Sequence, residues 1–367
     1  MSVEAAEVLI PCADFPTSLT YFVKHLGFKV KFITPADDPA VAVVQGHGLT
    51  LRLDRNAKGP APLLRFTRSA CDGTNGDSTP AAPEGIQIEW IEKTNELIVP
   101  DLVSSFVLTC KGDNTGWIEG RAGMHYRDLV PDRQGGRFIC SHIKLPGSGE
   151  VPDYVHRHHV RFQMIYCYKG QIEVVYEDQG PPFHLKAGDC ILQPPHIHHR
   201  VLSCSPGVEV IEISCPAQHD TLGNPELVLP TATVRPDRLF SGQRFVRYQG
   251  DHAQWHSMKK TPQWEQSNTG IDIATAGLAG ARVLRPAVGA HDAELELESV
   301  SEFVFRFILQ GSVDLQVQAE DGSSVVRQRL YEGDAFVIPE NMSAKMTNSL
   351  PDVQILEVSF PALDLAT

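Results

Sequence analysis

The sequence predicts a mainly β chain: two sandwiches or barrels of short strands, preceded by a small α+β module of order βαβββ. Three observations carry that prediction. From Arg137 onward, short apolar runs alternate with Gly and Pro turns; after a proline-containing stretch the pattern repeats, from about Ala281 to Phe360; and near the N-terminus apolar residues recur at helical spacing between strand-like runs.

The elements follow in order. Val8-Leu9-Ile10 is an apolar run closed by Pro11. Asp14 or Thr17 is placed to cap a helix whose apolar residues Leu19, Phe22, Val23 and Leu26 share a face, and Gly27 ends it. Phe28 to Ile33 alternates as a half-buried strand does, and Val41-Ala42-Val43-Val44 and Leu49 to Leu53 complete βαβββ. The residues Asp14 to Phe22 followed by Leu26-Gly27-Phe28 resemble the opening of the vicinal-oxygen-chelate superfamily, the fold of glyoxalases and bleomycin-resistance proteins. Metal-binding members of that superfamily carry a His or Gln on the first strand and a Glu on the fourth. Here those places fall near Glu7 and on Leu49 to Leu53, so a structural or dimerising module is expected.

The expected layout is a first module over 1–112 with a flexible loop near 69–84, a connector over 113–136, a first barrel over 137–220, a linker over 221–265 and a second barrel over 266–367. The loop expectation rests on the Gly, Ser, Thr, Asn and Pro content of Ser69 to Pro80, which is too polar to pack.

Composition narrows the function classes. At 367 residues, 42% hydrophobic and 21% charged, the chain can bury two or three cores and holds no apolar run of membrane length. Its net charge of -13 opposes a phosphate backbone or an anionic lipid surface, so neither a nucleic acid nor a membrane is an expected partner. The eight cysteines lack a CxxC pair and several sit in apolar runs, as buried thiols of a reducing compartment do; a cytoplasmic location is expected.

Seven of the fifteen histidines lie between His156 and His199. In His156-Arg157-His158 both imidazoles project from one face of a strand and can converge on one ion. After four intervening residues comes Gln163, and Gly170 closes that run. A second unit begins at Gly188-Asp189, turns at Pro194-Pro195 and reaches His199. These two motifs resemble those of the cupin superfamily, His-x-His followed by an acid and a glycine, then Gly-Asp, a proline and a histidine. The resemblance implies jelly-roll-like double-stranded β-barrels, the mouth of the first holding a divalent metal bound by His156, His158, His199 and the residue at 163. Where the family often has Glu, this chain has Gln163, a weaker, neutral ligand, so a three-imidazole site is expected with Gln163 as fourth ligand or behind it.

Around that site Arg161 shares parity with Gln163 and is a candidate to hold a substrate carboxylate. His196 and His198 sit in the turn at the barrel rim and are candidates for proton transfer. Tyr166 and Tyr168 have the opposite parity and are expected to pack. The second repeat keeps the skeleton, with about 145 residues between Gly188 and Gly333, but places Leu297, Ser299, Val304 and Ala344 where the first has its ligands.

The functional expectation is a metal-dependent bicupin with one working site, an Fe(II) dioxygenase acting on a small oxygen-rich or aromatic acid that chelates the metal. The alternatives are a Lewis-acid isomerase, lyase or hydrolase using Zn, Mn or Ni, and a non-catalytic binding protein. A small anionic chelator is the expected partner, and a homo-oligomer the expected assembly.

Overall fold

The computed structural model describes residues 2–69, 80–93, 96–112, 116–145, 147–290, 293–297 and 302–363. The chain divides into two compact units, Met1–Glu96 and Leu97–Thr367.

In the first unit the order is βαβββ. Val8–Pro11 pairs in parallel with Leu49–Asp54, which is followed across the sheet by Val41–Gly46 and Lys29–Thr34. Asp14 caps the helix Phe15–Thr20 by accepting from the Thr17 amide at 3.3 Å, and the helix runs on through Tyr21–His25. Phe15, Phe22 and Phe28 pack with Val44, Leu51 and Leu53 to form the core. Most of the expected flexible loop, 70–79, lies outside the described residues. Its far end is anchored: the Glu84 carboxylate accepts the Ala13 and Asp14 amides at the start of the helix.

The second unit holds the two repeats. Each is a pair of sheets packed face to face, the jelly-roll arrangement, rather than one continuously closed barrel. In the first repeat a seven-stranded sheet runs in the order Val246–Tyr248, Cys190–Leu192, Phe162–Lys169, Glu209–Cys215, Ile139–Lys144, His125–Asp128, Ile118–Glu119. Facing it is a sheet ordered Phe183–Lys186, Gln171–Tyr176, His199–Cys204, His156–His158, Thr221–Gly223. Strands thus come from segments expected as connector and linker, and these complete both sheets of the first repeat. The second repeat likewise sets a seven-stranded sheet against a four-stranded one, and Val107–Thr109 joins it by pairing with Ala335–Val337.

Alternating parity sorts each strand into two environments. On Phe162–Lys169, Gln163, Ile165 and Cys167 face inward, while Met164, Tyr166 and Tyr168 face the other repeat. The two seven-stranded sheets meet back to back through these outward residues: Phe138 stacks on Phe303 at 4.1 Å, Phe162 meets Phe360 edge-on at 4.8 Å, and Tyr168 meets Phe307 at 5.1 Å. Phe305 and Phe307 are wholly buried there, each contributing about 1.5–3 kcal/mol relative to exposure. Gly170 and Gly311 make matching hairpin turns at φ +70° and +73°. A Cβ at Gly170 would lie 3.0 Å from the Val208 Cα, as one at Gly311 would from the Val353 Cα.

Candidate metal centre

The cluster is assembled by strand register. His156–His158 hydrogen-bonds along Thr221–Gly223 on one edge, and on the other His156 lies opposite His199, the first residue of His199–Cys204. Pro194-Pro195 ends the preceding strand, and the amide of Ile197 closes the turn on the Pro194 carbonyl at 3.2 Å, which delivers His199 to that register. Ring centroids stand 4.4 Å apart for His156 and His199, 5.1 Å for His156 and His158, and 5.3 Å for His158 and His199. One nitrogen from each lies within 4.8 Å of the other two, a set able to hold a metal ion.

The outer nitrogens are already engaged. His156 Nδ1 donates to the Tyr154 carbonyl at 2.7 Å and His199 Nδ1 to the Ile197 carbonyl at 3.1 Å, while His158 Nδ1 meets the Thr221 hydroxyl at 3.1 Å. A carbonyl only accepts, so the protons of His156 and His199 are assigned to Nδ1 and their Nε2 atoms carry lone pairs. The Nε2 of His156 is buried and has no hydrogen-bond partner among the described residues. An orphaned basic nitrogen in a histidine triad whose outer nitrogens are fixed in this way fits a divalent metal.

Burial pushes all three imidazoles below their ordinary range; Arg121 disfavours each of them further as a cation, and so do the neighbouring histidines for His158 and His199. His158 falls from 6.5 to about 2, chiefly by burial and then by His156. An imidazole that resists protonation when folded stabilises the protein fully above the unfolded value near 6.5, and that contribution declines as pH falls from there towards about 2. The metal-free protein is therefore expected to lose up to about 1.4 kcal/mol per pH unit for each such histidine below pH 6.5. Urea denaturation at pH 7.5, 6.5 and 5.5 checks this, with a shallower decline expected for His158→Gln.

Gln163, 2% exposed, faces the triad from the opposite sheet. Its amide is committed on both sides, donating to Glu212 Oε1 at 2.9 Å and accepting from Gln193 at 3.4 Å. Gln193 also donates to the Nε2 of His199 at 3.0 Å and accepts from the Tyr176 hydroxyl at 3.1 Å. Glu212 accepts in addition from Ser214 at 3.0 Å. Asp153 pairs with Arg121, accepts the Val201 amide at 3.0 Å and lies 3.7 Å from His156 Nδ1. Arg121, Gln163, Tyr176, Gln193 and Glu212 line, with the triad, a cavity of about 70 Å³ whose apolar wall includes Ile143, Ile172, Val174 and Leu185.

Arg121, Asp153, Gln193 and Glu212 were not singled out by the sequence reading. Glu212 had a legible signal, a carboxylate sharing the inward parity of Val208 and Val210. Arg121 had none, since it arrives from a segment with no strand pattern.

The other candidates lie away from this cavity. Arg161 precedes the strand and faces Glu302 at 3.8 Å, because its segment has not yet taken up the alternating parity of the sheet. His196, at φ +67°, stacks on His159 with ring centroids 5.1 Å apart and meets Arg157 at 3.3 Å. His198 binds Glu177 at 2.7 Å and Asn224 at 3.3 Å. None of the three is among the residues lining the cavity.

The second repeat reproduces the register without the chemistry. Leu297 lies opposite Ala344 as His156 lies opposite His199, and Val304 opposite Ser359 as Gln163 opposite Ser214. Ser299 lies outside the described residues.

Fold and site together describe a cupin-type β protein with one histidine cluster among the described residues. Residues 141–211 match the family model of the cupin domain. Among solved structures the chain is similar to the formate complex of oxalate decarboxylase from Lactobacillus farciminis, at 13% identity over 72% of this chain and 88% of that one, TM-score 0.52. It is also similar to a putative glyoxylate-induced protein from Pseudomonas aeruginosa, at 12% identity over 73% and 93%, TM-score 0.50. A variant of oxalate decarboxylase from Bacillus subtilis aligns at 12% identity over 73% and 80%, TM-score 0.50. No curated protein matches the chain. No helix among the described residues is long and apolar enough to cross a membrane.

Proposed function

We propose that the first repeat is an enzyme site in which His156, His158 and His199 hold a divalent metal, Fe(II) foremost, and that the chain is a dioxygenase of a small oxygen-rich or aromatic acid. The observation that carries this reading is a three-imidazole set with no carboxylate ligand, one of whose inward nitrogens is buried and unpartnered. Three neutral ligands leave coordination positions for a bidentate substrate and the metal's charge for an anionic one. The metal supplies Lewis acidity and, as Fe(II), the redox capacity that dioxygen chemistry requires.

The protein groups do the rest. Arg121, held by Asp153, offers a guanidinium on the cavity wall for a substrate carboxylate. Gln163 and Gln193 fix each other and the His199 ring, and Glu212 is placed to take or return a proton. That carboxylate favours a second reading, a Lewis-acid lyase or hydrolase on Mn, Zn or Ni, in which Glu212 is the base. Fe-loaded protein screened against aromatic and keto acids separates the two. Substrate-dependent oxygen consumption supports the dioxygenase, and anaerobic turnover with Mn or Zn sinks it. For Met1–Glu96 we retain the glyoxalase-like reading as a structural or dimerising module, supported by its βαβββ order and its parallel first pair.

A further inference from the structure

The imidazoles of the cluster are not equivalent. His156 and His199 both donate from Nδ1 to a carbonyl and so turn an Nε2 lone pair inward. The lone pair of His156 has no hydrogen-bond partner among the described residues. That of His199 is capped, because the side-chain amide of Gln193 donates to it at 3.0 Å. A neutral imidazole has one such lone pair, and a metal ion and an N–H donor cannot share it.

The cap is anchored, and a second acceptor stands ready for it. Gln193 is 4% exposed, and its Oε1 accepts from the Tyr176 hydroxyl at 3.1 Å, which keeps the carboxamide beside the cluster. The donating nitrogen also stands 3.4 Å from Gln163 Oε1, a long contact with room to close. Gln163 itself is fixed by donating to Glu212 at 2.9 Å. Moving the cap off His199 therefore strands no buried donor; it costs about one neutral hydrogen bond rather than an unpaired N–H.

The second repeat shows that this place in the fold does not require an amide. Leu192 lies opposite Met164 as Val337 lies opposite Phe305, so Ile338, just before Pro339, corresponds to Gln193, just before Pro194. Ile338 is buried, and Val304 stands where the first repeat has Gln163. Both amides are replaced together with the histidines, so the pair belongs to the histidine site and not to the packing of the strand end.

We propose that Gln193 is a releasable cap on His199, which competes with the metal for Nε2, lowers the affinity of the site, and passes its N–H to Gln163 when the ion binds. The proposal rests on the three-histidine metal reading. It gives Gln193 an effect opposite in sign to that of a partner that orients a ligand, whose loss weakens metal binding by about 10–100-fold.

Zinc affinity of the full chain, measured by competition with a chromogenic chelator, tests it. Gln193→Ile, which copies the second repeat, is expected to bind zinc more tightly by roughly two- to tenfold, the worth of one neutral hydrogen bond. Gln193→Leu is the second variant, with the same expectation. A third readout needs no substitution: in the unaltered protein carrying isotope-labelled glutamine, the Gln193 side-chain amide signal should shift on zinc addition as its hydrogen bond to imidazole is lost. Zinc bound by the wild type but no more tightly by either variant, or a Gln193 amide signal unmoved by saturating zinc, would overturn the cap and leave the metal reading standing. No zinc bound by the wild type, or equal binding by His199→Ala, would sink the metal reading and the cap with it.

Discussion

Replacing His199 by alanine is expected to strip the chain of tightly bound divalent metal. Partners behind a ligand are worth about 10–100-fold in metal affinity, so loss of a ligand itself should exceed that range. His199 is chosen because it is buried and its ring is braced on both sides, by Ile197 at Nδ1 and Gln193 at Nε2. The corresponding residue of the second repeat, Ala344, provides the control: Ala344→Ser should leave metal content as it is. Plasma mass spectrometry after anaerobic purification reads both, with circular dichroism to confirm folding. Equal metal loss from the two variants would contradict a single site in the first repeat.

The second large effect is on stability. Glu357→Gln is expected to cost about 3–5 kcal/mol, because it removes the charge that faces one buried and one part-buried guanidinium while keeping the side chain's volume. Desolvation opposes ionisation of this carboxyl, but Arg282 and Arg306 outweigh it and hold its pKa at about 2. A carboxyl depressed on folding contributes fully above its ordinary value of 4.5, and the contribution is lost as pH falls towards 2. The wild-type chain should therefore shed this stabilisation between pH 4.5 and 2, and the glutamine variant should not. Replacing all three members together by Leu, Met and Leu should recover much of the loss, since an apolar trio needs no counter-charges. Urea midpoints across that pH range decide it.

What could be read from the sequence followed from periodicity. The alternation on Phe162–Lys169 put Gln163 inside and Tyr166 and Tyr168 outside, and the spacing of Gly-Asp, Pro and His placed His199 with His156 and His158. Arg161 shows where parity stops being informative, because it lies one residue before the strand and its side chain turns to Glu302. His196 and His198 look like rim residues of the same cavity in one dimension, but His196 is taken up by Arg157 and His159 and His198 by Glu177. The residues behind the cluster were illegible for another reason. Arg121 comes from a segment of no regular period and reaches the cluster through its pair with Asp153, which stands three residues before His156 in an equally irregular segment. In the second repeat, the two arginines were hidden because each reads as an ordinary charged residue in an apolar strand until its neighbour across the ladder is known.

The back-to-back seam of Phe138, Phe162, Phe303 and Phe360 has a thermodynamic consequence. Neither repeat can melt without exposing the aromatic face of the other, so Leu97–Thr367 should unfold cooperatively as one body. Ligand binding energy gained at either end is then shared by the whole. A cation captured by the three imidazoles would then protect the distant Arg282–Glu357–Arg306 trio from denaturation as well.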